Sequence, residues 1–204
     1  MNKLTGTIIF ICLFSTVAFG QRKGFTDSSA VLNNLRIKTN DNGMVVLGSW
    51  GVANIVAGGI GLASARTTTW KSFWGMNMVW GVVNTGIAGM ALMGDRKEMQ
   101  QQLSASGMLH RYEDTKRLYL INAGLDVLYV GTGIFLSEHS HRAGLSHPET
   151  WRGFGRSITM QGLFLLVFDN TMFFQHQNAD KRWYKLMSGV CFTGNGVGYN
   201  YTFN

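Results

Sequence analysis

Four stretches of this chain, each about long enough to cross a bilayer as a helix, carry no more than one charge apiece, and that pattern leaves few ways to fold. They run from Met44 to Ala65, Ser72 to Gly94, Leu118 to Ser137 and Ser157 to Ala179. The only charges inside them are Asp126 in the third and Asp169 in the fourth. Charged residues make up 14% of the chain, against about 25% in a soluble domain. They gather between the apolar runs, so lipid is the solvent these segments suit. An outer-membrane barrel is excluded, because a single strand-like segment cannot close one. The fold expected is all-α: a polytopic four-helix bundle with antiparallel spans, amphipathic surface helices and a short irregular or strand-like tail.

The N-terminus reads as a signal peptide over residues 1–20. Lys3 supplies the positive start and Thr7 to Ala18 the apolar core. Ala18-Phe19-Gly20 supplies small residues for cleavage before Gln21. Export of this kind points to the inner (cytoplasmic) membrane as the location. Of the two cysteines, Cys12 and Cys191, only the second survives cleavage, which leaves no internal disulfide.

Residues 21–43 are expected to lie on the membrane as an amphipathic helix carrying Val31, Leu32, Leu35 and Ile37. Asn40-Asp41-Asn42-Gly43 should end it in a turn. The four-helix domain then covers 44–186. Its first connection, Arg66 to Lys71, is a tight turn. The second, Asp95 to Lys116, has Met99, Leu103 and Tyr112 spaced for a short surface helix. The third, Glu138 to Gly155, is a polar loop with the sole proline, Pro148. Trp70, Trp74 and Trp151 should mark one interface, and Tyr112, Tyr119, Trp183 and Tyr184 the other. The Gly-rich tail, 187–204, alternates Val197, Tyr199, Tyr201 and Phe203 like one strand.

A short repeat links the first two spans. Trp50-Gly51-Val52-Ala53-Asn54 recurs as Trp80-Gly81-Val82-Val83-Asn84, and Gly59 and Leu62 are echoed by Gly89 and Leu92. Two helices making equivalent packing contacts would explain it. In lipid an Asn seeks an interhelical hydrogen bond, and an indole N–H is a ready donor. Ala53, Ala57 and Gly61 form a small-residue face where a neighbouring backbone could approach.

Every span carries polar groups. Counting rise per residue places Asn54, Asn84, Asn122, Asp126, Asp169 and Asn170 in one half of the bilayer, with Gln161 and Asn77 deeper. A carboxyl group in hydrocarbon costs about 3 kcal/mol on insertion scales, so Asp126 and Asp169 should face inward and find partners, or stay protonated. Two uses stand side by side. The acids line a pocket for a cation, proton or small polar ligand, or the whole set is a hydrogen-bonded network that fixes the bundle. No intramembrane Lys, Arg or His completes a charge relay for a coupled transporter, if His176 is counted with the membrane ends.

Other chemistry is thin. His139, His141 and His147, beside Glu138 and Glu149, are the weak candidates for a metal site, which needs fixed geometry. His110 and His176 read as interfacial. Ser49 and Ser157 have no His nearby in sequence to activate them. No cofactor motif stands in a usable context, since Gly131-Thr132-Gly133 falls inside a span. The net charge of +7 does not signal nucleic acid, because its basic residues flank the spans without interleaved stacking aromatics. They suit anionic lipid headgroups instead. The partners expected are therefore the lipid bilayer and a protein partner or second copy.

A run of motifs resembles a known family. Leu47-Gly48-Ser49-Trp50 to Asn54, Met76-Asn77 to Trp80 and Asn84, Asn122 to Asp126-Val127-Leu128-Tyr129, and Gly153-Phe154-Gly155-Arg156 through Gln161 to Asp169 stand in order. They are similar to an uncharacterised family of small bacterial four-helix integral membrane proteins, a domain of unknown function. The resemblance covers about Met44 to Phe174 and implies a membrane location and this helix count. It implies no activity.

Two functions follow from the residues: a structural or accessory membrane protein held by its polar layer, or a small transporter or cation-binding protein using Asp126 and Asp169. An enzyme has the least support. Orientation draws opposite signals. A cleaved signal puts residue 21 outside with twelve basic residues on that side and five on the other, whereas basic residues favour the inside.

Overall fold

The computed structural model describes residues 4–188, 190–193 and 196–199, with side chains described over 29–179. Four helices carry the fold: α1 Leu4–Ser64, α2 Thr68–Met99, α3 Ala105–His139 and α4 Pro148–Ser188. A two-stranded hairpin follows, β1 Val190–Thr193 paired with β2 Gly196–Tyr199, Val190 opposite Tyr199. Each of the last three helices starts on a local signal. Thr67 caps α2 by accepting from the Trp70 N–H, and Ser104 caps α3 by accepting from the Gly107 N–H. Pro148 opens α4, where its missing N–H costs nothing.

The helices pack as two close pairs, α1 with α2 and α3 with α4, and α4 also lies along α2. Glycines set the closest approaches. A Cβ on Gly51 would stand 2.8 Å from the Gly81 carbonyl oxygen, and one on Gly81 would stand 2.6 Å from that of Gly51. Gly133 and Gly155 face each other in the same way between α3 and α4, and Gly153 lies against the α2 backbone at Thr69. In lipid, where apolar burial between helices gains little, such backbone contact is the main packing force. Partners run in opposite order along α1 and α2: Gly48 meets Ala88, Gly51 meets Gly81, and Gly58 meets Trp74. A core of Met44, Leu47, Ala88, Tyr119, Phe168 and Met172 fills the centre.

Large apolar side chains also cover the outside. Val52, Val56, Ile60, Val82, Met90, Leu128, Phe135 and Val167 are all more than half exposed. A soluble monomer rarely carries such a surface. The four helices are long and apolar enough to cross a membrane.

The structure corrects several boundaries. α1 does not break at Asn40-Asp41-Asn42-Gly43 but runs straight through it. The Asn40 amide finds partners on two other helices, and Gly43 makes room for the Met172 side chain. The residues before the first span therefore continue it, with Leu32 and Ile37 buried and Val31 and Leu35 facing out. The second connection is not a surface helix. α2 and α3 extend toward each other and leave only a short turn at 100–104. Tyr112 and Tyr119 are buried against the other helices, and each hydroxyl donates inward, to the His176 carbonyl and to Asn40 Oδ1. The strand expected in the tail is a hairpin as far as Tyr199. Tyr201 and Phe203 lie outside the described residues, as do the side chains around the expected cleavage at Gly20 and those of Trp183 and Tyr184.

Candidate functional site

The repeat on α1 and α2 aims two asparagines at one glutamine of α4. Gln161, fully buried, donates from Nε2 to Asn54 Oδ1 and Asn77 Oδ1, both at 2.7 Å. Its Oε1 accepts from the Trp50 indole N–H at 2.9 Å and, at a longer 3.5 Å, from Asn84 Nδ2. The remaining amide donors turn back onto their own helices, Asn54 to the Trp50 carbonyl and Asn77 to the Phe73 carbonyl. Both N–H groups and the carbonyl of Gln161 are therefore used, which is what a buried amide needs. Trp50 stacks flat on Phe164 at 4.1 Å. Trp80, its counterpart in the repeat, points instead to α3 and meets Tyr129 edge-on at 5.3 Å.

A second polar group lies between α2, α3 and α4. Asp126 of α3 and Asp169 of α4 are interacting neighbours, with Asn122 beside Asp169. Both acids are buried, Asp126 only 2% exposed; the two carboxyl groups hydrogen-bond each other, and no amide, hydroxyl or basic group among the described residues donates to the Asp126 Oδ2. The acids line a cavity of about 280 Å³ shared with Asn84 and Asn122. Its walls are apolar, from Val83 and Ile87 on α2 and Leu118 and Leu125 on α3. The cavity lies where the α2 and α3 backbones stay apart, each drawn closer to another helix at its glycines, and where side chains such as Trp80 and Tyr129 bridge them.

Beyond the span ends a third cluster closes the bundle. Arg36 of α1, 4% exposed, donates to Glu98 and to Thr115 Oγ1, and stands 3.8 Å from Asp95. Asp95 accepts from Asn40, which accepts in turn from Tyr119. A buried guanidinium is tolerated only with such partners. His176 lies beneath, fully buried, stacked on Tyr119 at 5.6 Å and edge-on to Tyr112.

The expected polar residues thus divide. Asn54, Asn84 and Gln161 come together with Trp50, while Asn122, Asp126 and Asp169 come together one level away, and Asn84 borders both groups. Gln161 and Asn77 are not set apart from Asn54 and Asn84 but join them. Asn170 joins neither, since its amide bonds the Leu166 carbonyl of its own helix. Ala53 and Ala57 face outward, and the close-approach face of α1 is Gly51, Gly58 and Gly61. The loop histidines separate: His139 stacks on Phe135, and His141 meets Arg152. No group of three metal-ligating side chains occurs among the described residues. His176 is buried rather than interfacial. Missed altogether were Arg36, Asn40 and Asp95, whose signal was a set of polar residues one and two helical turns apart just outside the spans.

Residues 46–170, more than half of the chain, match a family described as "Family of unknown function (DUF6992)". No curated protein and no solved structure matches.

Proposed function

We propose that this chain, which belongs to that family of unknown function, is a multi-pass protein of the cytoplasmic membrane that binds a cationic group at Asp126 and Asp169. The antiparallel spans are held by the Gln161 layer and leave the acid cavity free for a ligand. The observation that carries this reading is the buried Asp126 carboxyl, which lines a cavity and, among the described residues, has the Asp169 carboxyl beside it but no amide, hydroxyl or basic donor to its Oδ2. A buried polar atom without a partner is costly, and a group that supplies the missing bond recovers that cost. The outward apolar side chains support a bilayer around the bundle. The N-terminal positive start and apolar core support export to the cytoplasmic membrane.

A structural or accessory role is the second reading, favoured by the full use of Gln161. The two separate in one experiment. Sodium, methylammonium and dodecylammonium are each added to the purified protein, and its melting temperature is followed. A ligand at about 100 times its Kd stabilises by about 2.7 kcal/mol. The binding reading expects a shift of that order with at least one cation, lost in D126N/D169N. No shift with any of the three leaves the structural role.

A further inference from the structure

The shape of the acid cavity narrows what it takes. We infer that its ligand is the primary ammonium head of a single-chain amphiphile, admitted sideways from the lipid between α2 and α3. This rests on the cation-binding reading above and adds the class of ligand and its route.

Three features of the cavity converge on that class. Its polar part is small and acidic: the two carboxyl groups of Asp126 and Asp169, with the amides of Asn122 and Asn84 at its border. An –NH₃⁺ group presents three donors and no acceptor, so one carboxylate, the carbonyl oxygen of the second, neutral carboxyl group and an amide oxygen satisfy it with the charges balanced. The Asp126 Oδ2, which receives no N–H or hydroxyl bond from an amide, alcohol or basic side chain among the described residues, can accept one of those donors. A bare metal ion fits less well, because hard cations gather six or more oxygens and no third acidic or imidazole ligand groups with these two among the described residues.

The second feature is the wall. Val83, Ile87, Leu118 and Leu125 line the cavity and are 42%, 46%, 56% and 44% exposed, so the same side chains face both cavity and surroundings. The α2 and α3 backbones stay apart there, and these partly exposed side chains form the apolar flank beside the cavity. At about 280 Å³ the space lies at the lower edge of the roughly 300–1,000 Å³ typical of small-molecule sites. It suits a head group and the first carbons of a chain, with the rest of the chain outside among lipid tails.

The third feature is closure at both ends. Trp80 and Tyr129 meet across the gap at one end. At the other, the Tyr119 hydroxyl donates to Asn40, which is tied to Asp95 and so to the Arg36 cluster. A ligand from water would have to part a buried charged network, whereas one from lipid meets only exposed aliphatic side chains.

The test uses the full chain in nanodiscs of zwitterionic lipid. Bound dodecylammonium is counted per chain after subtraction of protein-free discs, and methylammonium is measured alongside. Saturation at one dodecylammonium per chain, with affinity at least tenfold above methylammonium, is expected. V83W/L125W puts bulk on exposed positions, so folding is retained, as gel filtration checks. It should weaken dodecylammonium at least tenfold more than it weakens methylammonium, which shares the cavity wall but not the lateral opening. Methylammonium binding that depends on Asp126 and Asp169, with no gain from the chain and no effect of V83W/L125W, overturns the amphiphile and its lateral route but keeps the cation site. No saturable binding of either cation removes both.

Discussion

Two polar groups share the interior of this bundle and are built on opposite principles. Around Gln161 every strong donor and acceptor of the glutamine is used within α1, α2 and α4, at distances of 2.7 to 3.5 Å. One level away, Asp126 has only the Asp169 carboxyl as a partner among the described residues and borders open space. The first arrangement is a fastener, rigid because nothing is left over. The second is incomplete by itself. Lipid offers no hydrogen bonds, so an incomplete polar group there must be either protonated, filled or expensive.

That contrast can be broken most severely at the glycines that make it possible. Gly81→Leu drives a side chain into the Gly51 carbonyl and Ile55, and should cost roughly 3 kcal/mol or more through overpacking. Loss of the monodisperse protein in gel filtration checks it, with Gly86→Ala, where the added methyl meets open space, as the tolerated control. Next comes the fastener. Gln161→Leu leaves Asn54, Asn77 and the Trp50 indole without their shared partner and should destabilise by roughly 2 kcal/mol in denaturant unfolding. The acid pair should behave differently. D126N/D169N keeps shape and removes two buried carboxyls, so stability should move by no more than about 1 kcal/mol while cation binding disappears. A drop as large as that of Gln161→Leu would make the acids part of the fastener. The smallest effect belongs to Asn170→Ala, within about 0.5 kcal/mol, because that amide bonds only its own helix.

The helices were legible because length and charge-free composition speak directly to a bilayer. Their ends were not. Asn40-Asp41-Asn42-Gly43 has turn residues by local preference, yet Asn40 is claimed by Asp95 and Tyr119 on two other helices. Tertiary hydrogen bonds outweigh a local propensity of that size. The faces were harder still. Ala53 and Ala57 resemble a packing stripe, but in lipid the outward and inward faces are both apolar, and composition does not distinguish them. The repeat did point Asn54 and Asn84 to one partner. Naming Gln161 as that partner failed because depth was counted from the last charge of each span, whereas α4 begins at Pro148 and lies lower against α2 than the count assumed. The pairing of Asp126 with Asp169 was expected from the cost of isolating either one, and they do stand together. The cavity beside them depends on the α2 and α3 backbones staying apart, which no local pattern encodes.

The account turns on two carboxyl groups meeting inside the bundle while it sits in a bilayer. Solid-state NMR of the protein in lipid, labelled at aspartate side-chain carbons, reads that directly. A cross-peak between two carboxyl carbons, lost in either D126N or D169N, is the result expected. Two isolated carboxyl signals with no contact, or acids that exchange freely with bulk water, would contradict it.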